Sequence, residues 1–292
     1  MTPVILMTSF VNNTIILFFN PRNIPISLYW ARKSFFDVLE IRYLPHDVAW
    51  KVAKKFMMDT DYEYAIIQVD DVVAFPFNYS ELMEANKHLG DVVISALMEL
   101  GQNMGLRGVY FSVTDKVLEK RPMTYEDYGL WDMDKVLAKL REGRYHKVFY
   151  TGFGLTLMPK NVLIRLSFEP MARYKDRIFG YWYWRPVQID VRTSMELWEM
   201  GIPHYVDLMN LVNHLGNLRY MLPKEKVEPK VVYYGYFGEP EDLTENFPIE
   251  KWLKEHMVAS ERIKHFGYEI TRRIRRWFNN SGRAQSPGLS PS

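Results

Sequence analysis

Cysteine is absent from all 292 residues, which excludes disulfides, thiolate metal sites and cysteine nucleophiles together. Any metal must therefore sit on oxygen or imidazole. No unbroken apolar run reaches the roughly 18 residues of a spanning helix, so no transmembrane segment is expected. The opening runs PVILMTSF and TIILFF are apolar, but Val11-Asn12-Asn13-Thr14 lies within them. No basic residue precedes them and no small-residue cleavage site follows. They read as strand or core rather than a targeting signal, and the expected location is the cytoplasm. Net charge is also small, +2. It is unevenly placed: Glu261 to Arg283 holds seven Lys/Arg against two Asp/Glu, so the basic character belongs to the tail.

What the chain does have is apolar mass. Its hydrophobic share of 48% can fill a sizeable core, in one large α/β domain or two modest ones. Aromatics reach 15%, with 8 Trp and 19 Tyr, enough for core packing and for a concave surface lined with rings.

Apolar periodicity predicts alternating strands and helices in the first half. Strands are expected at Pro3 to Met7, Phe35 to Ile41 and Tyr64 to Val69. Val48, Val52, Ala53, Phe56 and Met57 recur at helical spacing and predict one amphipathic helix from His46 to Met58. Strand, helix and strand in that order imply a parallel pair with a right-handed crossover. Ligands of open parallel sheets collect at the carboxyl ends of the strands, which singles out Thr8-Ser9 and Asp70-Asp71. Further along, a helix capped by Ser80 is expected to run to His88, then strands at Asp91 to Met98 and Val109 to Val113. A helix over Asp134 to Arg141 follows, then another from Asp190 to Met200 that Gly201 ends, and a short strand at Tyr205 to Asp207. The VVYYGYF segment past Pro223 suits a strand or an ordered aromatic arm. From Glu261, Ile263, Phe266, Ile270, Ile274 and Trp277 follow helical spacing among Arg and Lys. The last dozen residues are rich in Ser, Pro and Gly and are expected to be disordered.

The segment with most chemistry is Tyr64-Ala65-Ile66-Ile67-Gln68-Val69-Asp70-Asp71-Val72-Val73-Ala74-Phe75-Pro76. An apolar strand delivers two adjacent carboxylates into a loop, where burying either one unpaired is costly, so a cation or a cluster of donors is expected to meet them. A hard divalent metal takes such oxygen ligands while also holding a diphosphate. A helix cap or a surface turn also suits such a pair. The segment resembles the GT-A glycosyltransferases, above all the large inverting family 2. There an apolar strand leads into an acidic motif, two apolar residues and a nearby proline. The resemblance makes Asp71 the metal ligand and places Asp70 near the donor ribose or sugar. Val69 stands where that family usually has its first acid.

The resemblance continues in order along residues 3 to 216. Lys147 to Met158, with Gly152 and Gly154, is similar to the segment bordering donor and acceptor sugars, although a strand bulge also explains such glycines. Gln188-Ile189-Asp190-Val191 falls where the family carries its catalytic base, so Asp190 is the candidate base; a helix N-cap is its other reading. Asn213-His214-Leu215-Gly216 looks like the late histidine that completes the metal shell, which makes His214 a candidate ligand; a core or surface histidine is the alternative. Trp182 and Trp184, shortly before Asp190, are candidate rings against the acceptor sugar, or core packing.

The resemblance implies a GT-A type α/β fold: a mostly parallel central sheet flanked by helices, with a C-terminal helical extension. Residues 1–76 would form a Rossmann-like nucleotide-binding half and 77–216 an acceptor half. An aromatic and polar arm at 217–260, a basic amphipathic helix at 261–280 and a tail at 281–292 would follow. The implied activity is metal-dependent, inverting transfer of a sugar from a nucleotide-diphosphate sugar, with Mn2+ or Mg2+, to a glycan, glycolipid or glycoprotein acceptor. Thr8, Ser9, Asp70 and Asp71 would hold the donor. The 261–280 helix suits an anionic membrane surface on the inner face, and no nucleic-acid motif accompanies its charges. A sugar nucleotidyltransferase would show a glycine-rich basic loop after the first strand, and Met7-Thr8-Ser9-Phe10-Val11-Asn12 has neither glycine nor lysine. A domain of the same type that binds carbohydrate or a partner without catalysis is the other alternative, and Val69 favours it.

Overall fold

The computed structural model describes residues 13–100, 108–118, 125–168, 171–175, 182–186, 189–215, 228–236 and 238–255. In chain order, β1 (Thr14–Asn20) is followed by α1 (Pro25–Lys33), β2 (Asp37–Arg42), α2 (His46–Asp59) and β3 (Tyr64–Val69). The two-residue β4 (Val72–Val73), α3 (Pro76–Leu89) and β5 (Val93–Leu100) come next. Short strands β6 (Tyr110–Phe111), β7 (Val113–Thr114) and β8 (Trp131–Asp132) lead to α4 (Met133–Glu142), β9 (Tyr145–Lys147), β10 (Tyr150–Thr151) and β11 (Leu155–Pro159). The one-turn α5 (Lys160–Leu163) precedes β12 (Met171–Lys175), β13 (Trp182–Pro186), α6 (Ile189–Glu199), β14 (His204–His214), β15 (Lys230–Tyr234) and β16 (Glu241–Asp242).

The main sheet runs β16-β15-β2-β1-β3-β11-β5-β14-β4. β1 pairs parallel with β2 on one side and β3 on the other, and β5 pairs parallel with β14. Between these two parallel blocks lies β11, antiparallel to both β3 and β5. The sheet is therefore mixed, not mostly parallel as expected.

Strand periodicity explains the two cores. Every residue of β1 is buried, and successive side chains face opposite sides. Ile15, Leu17 and Phe19 pack with α2 residues Val48, Val52, Ala53, Phe56 and Met57 on one face. Ile16 and Phe18 pack with Ala31 of α1 and Tyr79, Leu82 and Ala85 of α3 on the other. Trp50 stacks on Phe168 at 4.0 Å and meets Phe19 at 4.6 Å. Each fully buried apolar side chain stabilises such a core by about 1.5–3 kcal/mol.

Several elements differ from expectation. The strand expected at Val109 to Val113 is two short ones, β6 pairing with β5 and β7 with β10, and the strands expected at Phe35 to Ile41 and Asp91 to Met98 are shifted to Asp37–Arg42 and Val93–Leu100. The first strand of the parallel block is Thr14–Asn20, whereas the run expected as a strand at 3–7 lies outside the described residues. The helix expected from Ser80 begins at Pro76: proline suits the first helical position, and Asn78 caps the turn by accepting from the Phe75 amide at 2.8 Å. The short strand at 205–207 extends over eleven residues, His204–His214, with a register shift between Asp207 and Leu211. The buried Asn210 side chain holds that irregular stretch by bonding Asn78. Of the two readings of the VVYYGYF segment the strand is the one found: β15 joins the sheet antiparallel to β2. Among the described residues, no helix is long and apolar enough to cross a membrane.

Candidate functional site

The chain moves outward from β1 to β2, then crosses back over β1 to place β3 on its other side. The connections leaving the carboxyl ends of β1 and β3 thus diverge; at such a topological switch point open α/β sheets bind their ligands, in the crevice outside the strand ends. Asn20-Pro21-Arg22-Asn23 comes to it from β1 and Asp70-Asp71 from β3. The Asn20 side chain fixes the first loop: its Oδ1 accepts from the Ile24 amide at 2.7 Å, and its Nδ2 donates to the buried Glu40 at 2.7 Å.

Arg22 then reaches across to Asp70. Its amide donates to Asp70 Oδ2 at 2.9 Å, its Nε to both carboxylate oxygens at 3.0 and 3.1 Å, and its Nη2 to Oδ1. Ser27 Oγ donates to the Asp70 carbonyl at 2.8 Å. The Asp70 side chain is fully buried, and Arg22 is nearly so. Burial pushes the Asp70 carboxyl above its ordinary range, while the Arg22 hydrogen bonds and charge pull against that shift. Burial also opposes the charge on Arg22, but the hydrogen bond to Asp70 and the charge of Asp71 outweigh it, and the guanidinium stays ionised. A cation or a cluster of donors was expected to meet the two acids, and Asp70 meets a cluster of donors from Arg22. Its carboxylate faces Arg22, so a direct contact with a donor sugar would have to displace a bidentate pair.

Asp71 is more open. Its Oδ2 lies 2.8 Å from Arg22 Nη2 and 3.3 Å from His214 Nε2. Burial works against its charge, but the His214 hydrogen bond and the Arg22 charge bring its pKa down to about 2. His214 arrives because the end of β14 pairs with β4, with His214 opposite Val72, and the Leu215 amide donates to the Asp71 carbonyl at 2.7 Å. The structure thus brings together Asp71 and His214, which are 143 positions apart in sequence.

The fit to a divalent cation can be tested on that distance. Ligands bound cis at about 2.1 Å lie about 3 Å apart, close to the observed 3.3 Å between Asp71 Oδ2 and His214 Nε2. Asp71 and His214 would hold the ion, once the Arg22 contact to Asp71 gave way. Among the described residues no third His, Asp or Glu completes a cluster; hard cations of this kind commonly take the rest of their shell from phosphate and water.

Asp190 sits in the first turn of α6, which suits the helix dipole. Its Oδ2 accepts from Tyr150 Oη at 2.9 Å and its Oδ1 from the Val191 amide at 2.8 Å. Burial raises its pKa, opposed by the Tyr150 hydrogen bond. A buried carboxyl whose charge is disfavoured and whose partner is a hydroxyl is a candidate for proton transfer. Neither hydrogen bond at Asp190 reaches the Asp70–Asp71 cluster.

Gly152 and Gly154 serve close packing by protein. A Cβ on Gly152 would collide with Ser112 Oγ and lie 2.5 Å from Met98 Cε; one on Gly154 would lie 2.5 Å from Met98 Sδ and 2.9 Å from Val72 Cγ2. Between them Phe153 takes the left-handed φ of 46° and packs on His204. These contacts explain both glycines without a ligand. Trp182 and Trp184 lie on β13, paired with Lys175 and Arg173 of β12. Thr8, Ser9 and the 261–280 helix fall outside the described residues. Sequence reasoning missed Arg22 and Tyr150. The signal for Arg22 was present: taking TIILFF as the first strand of the parallel block places its loop at 20–23.

No family model matches the chain, and no curated protein does. Among solved structures it is similar to A197 from STIV, with 15% identity over 76% of this chain and 85% of that one and a TM-score of 0.38. That likeness is too distant to bear on the site.

Proposed function

We propose that this chain transfers a sugar from a nucleotide-diphosphate sugar to a hydroxyl acceptor, with inversion, at the crevice between β1 and β3. One observation carries the reading: Asp71 and His214 meet at that crevice, 3.3 Å apart, at the spacing of two ligands of one ion. Held there, a manganese or magnesium ion would neutralise the diphosphate as it leaves. Asp70 and Arg22 act as a neutral clamp that holds the two loops together and presents Asp71 outward. Asp190, its charge disfavoured by burial, is the base that takes the acceptor proton as the hydroxyl oxygen attacks the anomeric carbon and the bond to the diphosphate breaks. Tyr150 orients that carboxylate.

A second reading is a domain of the same type that binds nucleotide or carbohydrate without turnover. Arg22 favours it, since its Nη2 already occupies Asp71. Titration of a nucleoside diphosphate with and without manganese separates the two. Transfer requires metal-enhanced binding that Asp71→Asn abolishes, whereas Asp190→Asn keeps donor binding and loses transfer. Binding indifferent to manganese in the wild type would favour the second reading. Full transfer by Asp190→Asn would reject the choice of base.

A further inference from the structure

The crevice is flanked by an exposed apolar strip that, among the described residues, no element covers. Ile26 and Tyr29 are three apart on α1 and share its outer face, 47% and 51% exposed. Phe77, in the first turn of α3, is 59% exposed. Half-buried rings join them: Tyr29 contacts Trp30 at 5.2 Å, Trp30 contacts Phe75 at 5.0 Å, and Phe75 stacks on Phe77 at 6.1 Å. A contiguous aromatic surface of this kind, left open to water, marks an interaction site.

Its charges indicate the partner. α1 contains no acidic residue and ends in Arg32 and Lys33, with Lys33 Nζ 5.6 Å from the Tyr29 ring centre. The nearby acids on α3 are engaged, Glu81 by Arg144 and Glu84 by Lys87 at 2.9 Å. Arg32 rests on the Tyr234 ring, 4.4 Å from its centre, so both cations lie against aromatic faces, with no acid on their own helix; rings and aliphatics bordered by such cations match an anionic lipid interface. There aromatic rings settle at the headgroup level and each basic residue near the surface adds about 1 kcal/mol of attraction.

We propose that the strip formed by Ile26, Tyr29, Trp30, Phe75 and Phe77 docks the protein on an anionic lipid surface. α1 begins three residues after Arg22, and Phe77 follows Asp71 by six. Docking therefore holds the loops of the crevice beside the surface and gives them access to lipid-borne molecules. The inference stands on exposure and charge, whether or not the crevice transfers sugar.

The chain has no cysteine, so one introduced thiol takes a label cleanly. Phe77→Cys and, on the opposite face of the sheet, Met58→Cys would each carry an environment-sensitive fluorophore. Each full-length variant would be mixed with vesicles of phosphatidylcholine alone or with phosphatidylglycerol. The label at position 77 is expected to shift to the blue on phosphatidylglycerol vesicles only, while the label at 58 stays unchanged. Tyr29→Glu should lower cosedimentation of the unlabelled protein several-fold. An unshifted label at 77 while the protein still sediments would assign binding to the basic 261–283 segment and overturn the proposal. Absent sedimentation, or equal shifts at both positions, would overturn it too.

Discussion

His204 offers a measurement of the core with a calculable size. It is 2% exposed, at the start of β14. Its Nε2 lies 2.9 Å from Ser95 Oγ and 3.2 Å from Thr151 Oγ1, and among the described residues Nδ1 has no partner. Among the described residues nothing acidic faces the ring, and burial drives its pKa down to about 3. The unfolded chain titrates this group near 6.5. Above about pH 6.5 both states leave the ring neutral and protonation takes nothing from stability. As pH falls from there toward 3, the unfolded chain takes up a proton that the folded protein refuses, and stability is lost at about 1.4 kcal/mol per pH unit. At about pH 5 the loss amounts to about 2 kcal/mol. His204→Gln keeps an amide able to bond Ser95 and Thr151 but does not titrate. Urea unfolding of both proteins at about pH 7.5 and pH 5 isolates the effect, because every other titrating group is common to the two. Wild type should lose about 2 kcal/mol more than the variant between the two pH values. Equal losses would show that His204 is protonated, or solvated, in the folded state.

Arg22→Met strands the buried Asp70 carboxylate. Chemical denaturation should report a loss of about 3–5 kcal/mol, and a loss under about 1 kcal/mol would mean the pair is not buried as described. Tyr150→Phe removes the hydrogen bond that opposes the upward shift of Asp190. The acid limb of the transfer rate should then move to higher pH, and an unmoved limb would separate Tyr150 from the base. Gly152→Ala drives a Cβ into Ser112 Oγ and Met98. Thermal unfolding should show a loss of about 1–3 kcal/mol, typical of overpacking, with nucleotide binding retained; lost binding at unchanged stability would return Gly152 to a ligand role.

Much of the first half was legible because β3 and α2 carry their burial in their own periodicity. Tyr64–Val69 matches the expected strand residue for residue, and α2 extends the expected helix by one, to Asp59. The first strand was harder, since two apolar runs stand side by side at 3–7 and 14–20 and composition does not say which one β2 and β3 will flank. That choice moved the strand-end loop from Thr8-Ser9 to Asn20–Asn23. The glycines at 152 and 154 were visible as positions of close approach, but not what approaches, because Met98 and Ser112 are far away in the chain.

The sequence by itself determined that a buried strand ends in two adjacent acids, that no thiol can serve a metal, and that any further ligand must be carboxylate, carbonyl or imidazole. Which acid stays available was decided only in three dimensions. Two neighbouring aspartates are chemically alike until parallel pairing of β1 with β3 sets Arg22 against Asp70, and pairing of β14 with β4 sets His214 against Asp71. Charge partners are chosen by distance, and distances between segments 48 and 143 residues apart are set by strand order, which local sequence does not encode.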